Sequence, residues 1–188
     1  TDGAPSDSVA LALLGVVKEK IDLVVSGINP HENIGDDVTY SGTATAAMEA
    51  VIGGVPGMAV SLNSPEDFQG ALDYATAASV ALRVAGKMMQ EGLPAGVLLN
   101  VNVPYLPENE LRGTLVTRQG SRLYRDALDA RTDPRGKPYY WIGGEFPLGV
   151  EEDGTDYGAI KAGYVSITPL QLDLTAREAM EVIKRWDW

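Results

Sequence analysis

The sequence predicts an α/β fold, a mostly parallel sheet with helices on both faces, and three observations carry that expectation. Short apolar runs rich in β-branched residues lie at 21–25, 58–62 and 97–103, each ending at loop-forming residues. Helical patterns alternate with them, opening near Pro5, Ser41 and Phe68, the first closing at a polar Lys-Glu-Lys run and the other two at Gly or Pro. The third is size: 188 residues, 45% of them hydrophobic, suit one sizeable core, and no stretch has a composition typical of disorder.

The first helix enters at Pro5 and sets Val9, Ala12, Leu13, Val16 and Val17 on one face before the polar Lys18-Glu19-Lys20. Ile21-Asp22-Leu23-Val24-Val25 reads as an interior strand covered on both faces, stopping at Ser26-Gly27. Residues 28–40 form a polar loop of Asn, Asp, Gly, Pro and one His, longer than a plain βα connection requires. Ser41 suits the N-cap of the next helix, an Ala-rich body through Ala50 that stops at Gly53-Gly54.

Pro56-Gly57 introduces a second strand over 58–62. A turn at Asn63-Ser64-Pro65 then leads to a long helix expected over about 68–90, with Leu72, Ala75, Ser79, Leu82 and Gly86 near one face. Gly92-Leu93-Pro94 ends that helix, and the third strand breaks at Pro104. After Leu111 the pattern changes to a strand over 114–118 and an extended arm. Its turn is Asp133-Pro134-Arg135-Gly136 and its aromatic strand is Pro138-Tyr139-Tyr140-Trp141-Ile142. An aromatic strand of this kind needs a cover, and two readings stand: a hairpin folded onto its own core, or an arm packed on another subunit. Residues 153–163 read as acidic and turn-rich, 164–168 as a strand ending at Pro169, and 175–186 as a helix. Thr175 is its expected N-cap, and Glu178 completes a capping box.

Charge and composition exclude several functions. A net charge of −11 repels polyanions and argues against binding a nucleic-acid polymer, so a small anion would need a local site built from backbone N–H groups, a metal ion or both. The absence of cysteine removes disulfides, thiolate nucleophiles and zinc-thiolate sites, and is compatible with the cytoplasm, the default localisation. Charged residues such as Lys18, Lys20, Arg83 and Lys87 interrupt the most apolar segments, so no membrane span is expected. Nor is there a G-x-G-x-x-G after a strand, a G-x-x-x-x-G-K-[ST], a G-x-S-x-G elbow or an H-E-x-x-H.

Candidate chemistry gathers between Ser26 and Thr43, beyond the C-terminal end of a strand, where ligands sit in open α/β sheets. Asn29 is the first side chain expected to project into that crevice. Its amide oxygen suits a hard cation, although an Asn after a strand more often closes a turn. Ser41-Gly42-Thr43 at a helix start offers unpaired N–H groups and two hydroxyls to a phosphoryl oxygen, against the plain alternative of an N-cap without ligand. Asp36-Asp37 is expected to face solvent or to cap N–H groups, and His31 has a suitable pKa for a general base but no evident partner.

Six motifs in order carry a resemblance: Ser26-Gly27-Ile28-Asn29, Asn33-x-Gly35-Asp36-Asp37, Tyr40-Ser41-Gly42-Thr43, Asn100-Val101-Asn102-Val103-Pro104, Tyr140-Trp141 and Gly163-Tyr164-Val165-Ser166-Ile167-Thr168-Pro169-Leu170. On these the chain resembles the SurE survival-protein family, stationary-phase 5′/3′-nucleotidases. The resemblance implies a Rossmann-like three-layer α/β/α sandwich with a C-terminal β-hairpin arm, here one domain over 1–188. Its core would span about 1–118 and 163–188, and the arm about 119–162.

The same resemblance implies metal-dependent hydrolysis of nucleoside monophosphates, with Mg²⁺ or Mn²⁺ held by Asn29 together with two adjacent aspartates and a Ser. Phosphate would be held by Asn33, Ser41, Gly42 and Thr43, and a homodimer or homotetramer would form through the arm. Two departures qualify it. Family members commonly have Gly where His31 stands, and the family's Asn-Asp-Asp-Gly strand has no counterpart in these residues. The catalytic carboxylate is therefore expected in a missing segment, and this form is expected to be inactive. The alternatives are a non-catalytic fragment that retains only oligomerisation, or another Rossmann-type small-molecule binder.

Overall fold

The computed structural model describes residues 1–188, with side chains for all except residues 145 and 146. Three strands, β1 (Val24–Asn29), β2 (Gly57–Asn63) and β3 (Val97–Pro104), run parallel. Strand β7 (Val165–Gln171) joins β3 antiparallel, and β4 (Thr114–Val116) lies parallel to β7, giving the order β1-β2-β3-β7-β4. Among the described residues, strands β5 (Arg122–Thr132) and β6 (Pro138–Gly149) pair only with each other, as a long antiparallel hairpin.

The period of two along β2 divides the core into two layers. Met58, Val60 and Leu62 pack with Ala77, Val80, Val84 and Met88 of α3 (Ala75–Glu91) and with Val101 and Val103 of β3. Ala59 faces the other way and packs with Ala44 and Ala47 of α2 (Gly42–Ile52) and with Leu98 and Leu170. The small side chains of α2 allow close approach: a Cβ on Gly57 would stand 2.2 Å from the carbonyl oxygen of Ala47. Helices on both faces of one sheet make the three-layer α/β/α sandwich that the sequence predicts.

Several boundaries differ from the expectation. The strand expected at 21–25 runs instead from Val24 to Asn29 and lies at the sheet edge, with Val25 exposed, because β2 is its sole partner strand among the described residues. The first helix is α1 (Pro5–Leu11), continued as a π-helical turn (Ala12–Val16) that breaks where Gly15 takes φ 111°, and neither piece has a buried residue.

The long helix starts at Ala75, not near Phe68, and its buried stripe is Ala77-Val80-Val84-Met88. Of the residues expected on that face, Leu82 points to solvent. The segment read as turn-rich contains α4 (Asp156–Lys161), whose Asp156, Tyr157, Ala159 and Ile160 are buried. Strand β7 runs through Pro169 to Gln171, and α5 (Arg177–Ile183) is capped by Ala176 without a side-chain hydrogen bond. Thr175 gives its N–H to Asp173 and forms no capping box.

The hairpin does not fold onto the core along its length. Tyr140, Trp141 and Ile142 are exposed, Ile142 at 82%. No described helix is long and apolar enough to cross a membrane.

Candidate functional site

The loop after β1 begins in a turn that only glycine fits. Between Ser26 and Asn29 the register with β2 shifts, and Gly27 takes φ 130° with a virtual Cβ only 2.3 Å from the Val60 carbonyl, so no side chain fits there. The shift sets Asn29 opposite Ser61 of β2. Asn29 is half-buried and closes the turn on itself, its amide donating to the His31 carbonyl at 2.6 Å. Ser64 pins the same turn by donating to the Pro30 carbonyl at 2.7 Å, and its hydroxyl lies 3.2 Å from His31 Nδ1.

Asn33 is the most firmly held residue of the loop. Its N–H donates to Asn102 Oδ1 at 2.8 Å, and its carbonyl accepts from Asn100 Nδ2 at 2.8 Å and Asn102 Nδ2 at 3.0 Å. Asn102 thus serves one backbone unit through both ends of its amide, as a neighbouring strand would. The Asn33 side chain turns inward, 7% exposed, and donates to Ser61 Oγ at 2.6 Å.

This polar seam continues across the sheet, where Thr117 Oγ1 lies 2.7 Å from Ser166 Oγ and 2.8 Å from Thr168 Oγ1. Asn102 and Asn100 pair in register with Ser166 and Thr168. Buried polar side chains in a sheet centre stabilise only when partnered, and of these the Asn100 Oδ1 acceptor alone lacks a hydrogen bond among the described residues.

From Gly35 onward the loop is fixed by residues far along the chain. Gly35 takes φ 49° and its virtual Cβ would lie 2.7 Å from the Gly120 carbonyl. Its N–H donates to Asp156 Oδ2 at 2.8 Å and its carbonyl accepts from Gln119 Nε2 at 2.9 Å. Asp156 is fully buried, and its other oxygen accepts from the N–H groups of Gly120 at 2.8 Å and Tyr157 at 2.9 Å.

Arg122, with its side chain 3% exposed, stands 3.3 Å from Glu32 and donates through Nε to Asp37 at 2.6 Å. The Tyr124 hydroxyl donates to the same carboxylate. Burial and then the Asp37 carboxylate push the Tyr124 phenol up to about 12. Asp37 is therefore engaged in holding the arm to the loop, while Asp36 faces solvent, in line with a non-catalytic reading of that pair.

Ser41 is the N-cap of α2, as its sequence position predicts. It is buried at 8% exposure, and its oxygen accepts from the Ala44 N–H at 3.1 Å. Capping satisfies one of the orphan N–H groups of the helix start, leaving those of Gly42 and Thr43 without an intrahelical acceptor. Gly42 packs beside Pro5, where a Cβ would meet the proline ring at 3.2 Å.

Asn33 thus reaches Ser61 through its side chain while Asn29 pairs with it only in register, and Ser41, Gly42 and Thr43 form the helix entrance that follows the loop. Among the described residues no hydrogen bond joins the two groups. Sequence reasoning missed Ser61, Asn100, Asn102, Arg122 and Asp156 as loop holders. The asparagines left a signal, polar residues at i and i+2 in an otherwise apolar buried strand, whereas Arg122 and Asp156 left none.

The residues present do not by themselves suit a Mg²⁺ or Mn²⁺ site. Such ions draw on several oxygens, mostly carboxylate. Asn29 offers one neutral amide oxygen, and no group of three His, Asp or Glu side chains among the described residues is placed to hold a metal.

Residues 1–126 match the family model described as "Survival protein SurE". A relative from Chloroflexus aggregans named 5′-nucleotidase SurE is 50% identical over 187 residues, covering 100% of this chain and 73% of its own length. Another of that name, from Geotalea daltonii, is 47% identical over 186 residues, covering 99% and 74%. Among solved structures, the SurE protein from Aquifex aeolicus superposes with a TM-score of 0.80 at 44% identity, covering 97% of this chain and 73% of that one.

Proposed function

The chain belongs to the SurE family, and on that premise we propose that it is a nucleotidase, a hydrolase that binds nucleoside monophosphates and cleaves their phosphomonoester. The observation that carries this reading is the match of a 5′-nucleotidase SurE across the whole chain at 50% identity. The helix entrance supports it, since free N–H groups at the start of an 11-residue helix favour an anion despite the net charge of −11.

In this proposal the N–H groups of Gly42 and Thr43 hold equatorial phosphoryl oxygens, with the Thr43 hydroxyl adding a third donor. Asn33 keeps one amide hydrogen beyond the one given to Ser61, and that hydrogen is the donor assigned to phosphate. Holding Asn33 from both sides serves catalysis by fixing the donor before the substrate arrives. Asn29 contributes an amide oxygen of the kind that completes a hard-cation site without making one alone. His31, beside Ser64, is the first side chain to test as a proton carrier. Association of copies through the exposed hairpin belongs to the same proposal.

A second reading, binding without turnover, is favoured by one observation: the lack of a metal-binding cluster among the described residues. One experiment separates the two. Phosphate release from nucleoside 5′-monophosphates and from p-nitrophenyl phosphate is measured with and without Mn²⁺, beside the Chloroflexus aggregans relative, together with nucleotide binding by calorimetry. Metal-stimulated release by this chain supports the hydrolase. Binding without release supports the second reading, and neither binding nor release overturns both.

A further inference from the structure

We propose that Asp156 is a positioning residue for the substrate: its carboxylate clamps the backbone at Gly35 and so sets the direction of the Asn33 amide two residues earlier. The proposal rests on the nucleotidase reading, in which Asn33 holds phosphate, and gives a role to a buried charge that this reading leaves unused.

Asp156 opens α4, is fully buried and accepts three hydrogen bonds, all from backbone N–H groups. Oδ2 takes the Gly35 N–H at 2.8 Å, and Oδ1 takes those of Gly120 at 2.8 Å and Tyr157 at 2.9 Å. Burying a carboxylate is costly unless it is hydrogen-bonded, and these donors meet that need. They come from the loop, from the approach to the hairpin and from α4 itself. The residue's own backbone is fixed as well: the Asp156 N–H donates to the Arg118 carbonyl at 2.9 Å, and Thr155 caps the helix by accepting from the Gly158 N–H at 3.1 Å.

The two glycines let the backbones close on the carboxylate. A Cβ on Gly120 would lie 2.9 Å from Asp156 Oδ1, and one on Gly35 would lie 2.7 Å from the Gly120 carbonyl. The tripeptide Asn33-Ile34-Gly35 is then held at every residue. Asn33 is held by the asparagines of β3, and Ile34, 1% exposed, packs with Tyr157 and Ile160 of α4. Gly35 is held on one side by Asp156 and on the other by Gln119. A donor fixed in this way is aimed before the ligand arrives.

The clamp needs a carboxylate and not merely a side chain of that size. Every partner is a donor, so both oxygens must accept. An amide has one oxygen and one NH₂ group, and when its oxygen serves Gly120 and Tyr157 its NH₂ faces the Gly35 N–H, donor against donor. Asp156→Asn therefore keeps the bonds to the hairpin approach and to α4 and releases the loop alone.

The test compares the native chain with three variants, using circular dichroism and thermal melts as the fold check. They are Asp156→Asn; Gln119→Leu, which removes the donor to the Gly35 carbonyl at an exposed residue; and Val84→Ala, which weakens the α3 core away from the loop. Two quantities are read: residue-resolved hydrogen exchange at Gly35 and Ala159, and the affinity for adenosine 5′-monophosphate by calorimetry. Asp156→Asn is expected to lose protection at Gly35, to keep it at Ala159, and to bind the nucleotide about tenfold more weakly. Gln119→Leu should weaken binding by less, and Val84→Ala should lower the melting temperature without changing Gly35 exchange or affinity.

Protection at Gly35 that survives in Asp156→Asn overturns the clamp. Protection lost with affinity unchanged, or an equal loss of affinity in Val84→Ala, overturns the positioning role. If Asp156→Asn does not fold, Gln119→Leu decides: weaker binding by it supports the role, and native affinity overturns it. A native chain that binds no nucleotide removes the nucleotidase reading instead, and exchange at Gly35 then decides by itself whether Asp156 sets the loop.

Discussion

The loop 29–37 and the hairpin of β5 and β6 both leave the sheet, yet they are held in opposite ways. The loop has little regular structure, so its backbone groups are met by side chains from distant parts of the chain: Asn100 and Asn102 from β3, Gln119, and Asp156 from α4. The hairpin meets its backbone groups within itself over two long strands, and needs almost nothing from the core beyond its root at Arg122 and Tyr124. Irregular backbone at a binding site becomes rigid only through long-range polar contacts. A regular hairpin needs none, and so its side chains remain available for another surface.

Breaking the joint between these regions is expected to have the largest effect. Arg122→Met removes the cation shared by Glu32 and Asp37 and leaves two partly buried carboxylates without it, which typically costs about 3–5 kcal/mol. Urea unfolding should show a lower midpoint. A loss below about 1 kcal/mol would mean that the loop is fixed by its other partners and that the hairpin root is incidental to it.

A smaller effect is expected inside the loop's own support. Asn102→Leu removes the acceptor of the Asn33 N–H and one of the two donors to its carbonyl, leaving a buried donor unmet at a cost of about 1–3 kcal/mol. Asn100→Leu should cost less, because the Asn33 carbonyl keeps Asn102 and because the Asn100 acceptor already lacks a partner among the described residues. Equal losses in thermal melts would refute that division of labour.

The Tyr124 contact sharpens the comparison through pH. Its folded value, pushed up to about 12, lies above the ordinary 10.0, so its contribution is complete below pH 10 and is lost as pH rises through about 12. Over that window the native protein should lose stability more steeply than Tyr124→Phe, which has no hydroxyl to titrate. Parallel curves would show that the hydroxyl adds nothing at the root.

Much of this arrangement was legible because it is local. The N-cap at Ser41, the stop at Gly53, the breaks around Pro104 and the two apolar strands at 58–62 and 97–103 follow from turn chemistry and period alone. What escaped depends on distance or environment. The run at 21–25 has an interior strand's composition, but burial is set by neighbours, and β1 has one among the described residues. Gly35 meets Gly120 and Asp156 only in three dimensions, 85 and 121 positions along the chain from it. The helix expected from about 68 begins instead at Ala75, whose N–H is met by Asp73 Oδ1 at 2.8 Å, while the Asp73 N–H is held by the Tyr105 hydroxyl at 3.2 Å from far along the chain.

The smallest effect is expected midway along the hairpin, where Ile142 pairs with Leu128, and it tests what the exposed side chains are for. Ile142 is 82% exposed, so Ile142→Ser removes almost no buried area and should change unfolding stability by less than about 0.5 kcal/mol. Tyr140 shares its face of the strand and Trp141 takes the other, and both are also exposed, so neither face of this two-stranded ribbon is covered by the core here. If copies associate through the face that carries Ile142, Ile142→Ser should shift the sedimentation velocity profile toward monomer while leaving the melting curve of the dilute protein in place. If the variant instead destabilises the dilute protein, the middle of the hairpin packs on its own core in solution. The hairpin would then resemble the loop in being held from outside, and the contrast between the two regions would end at the root.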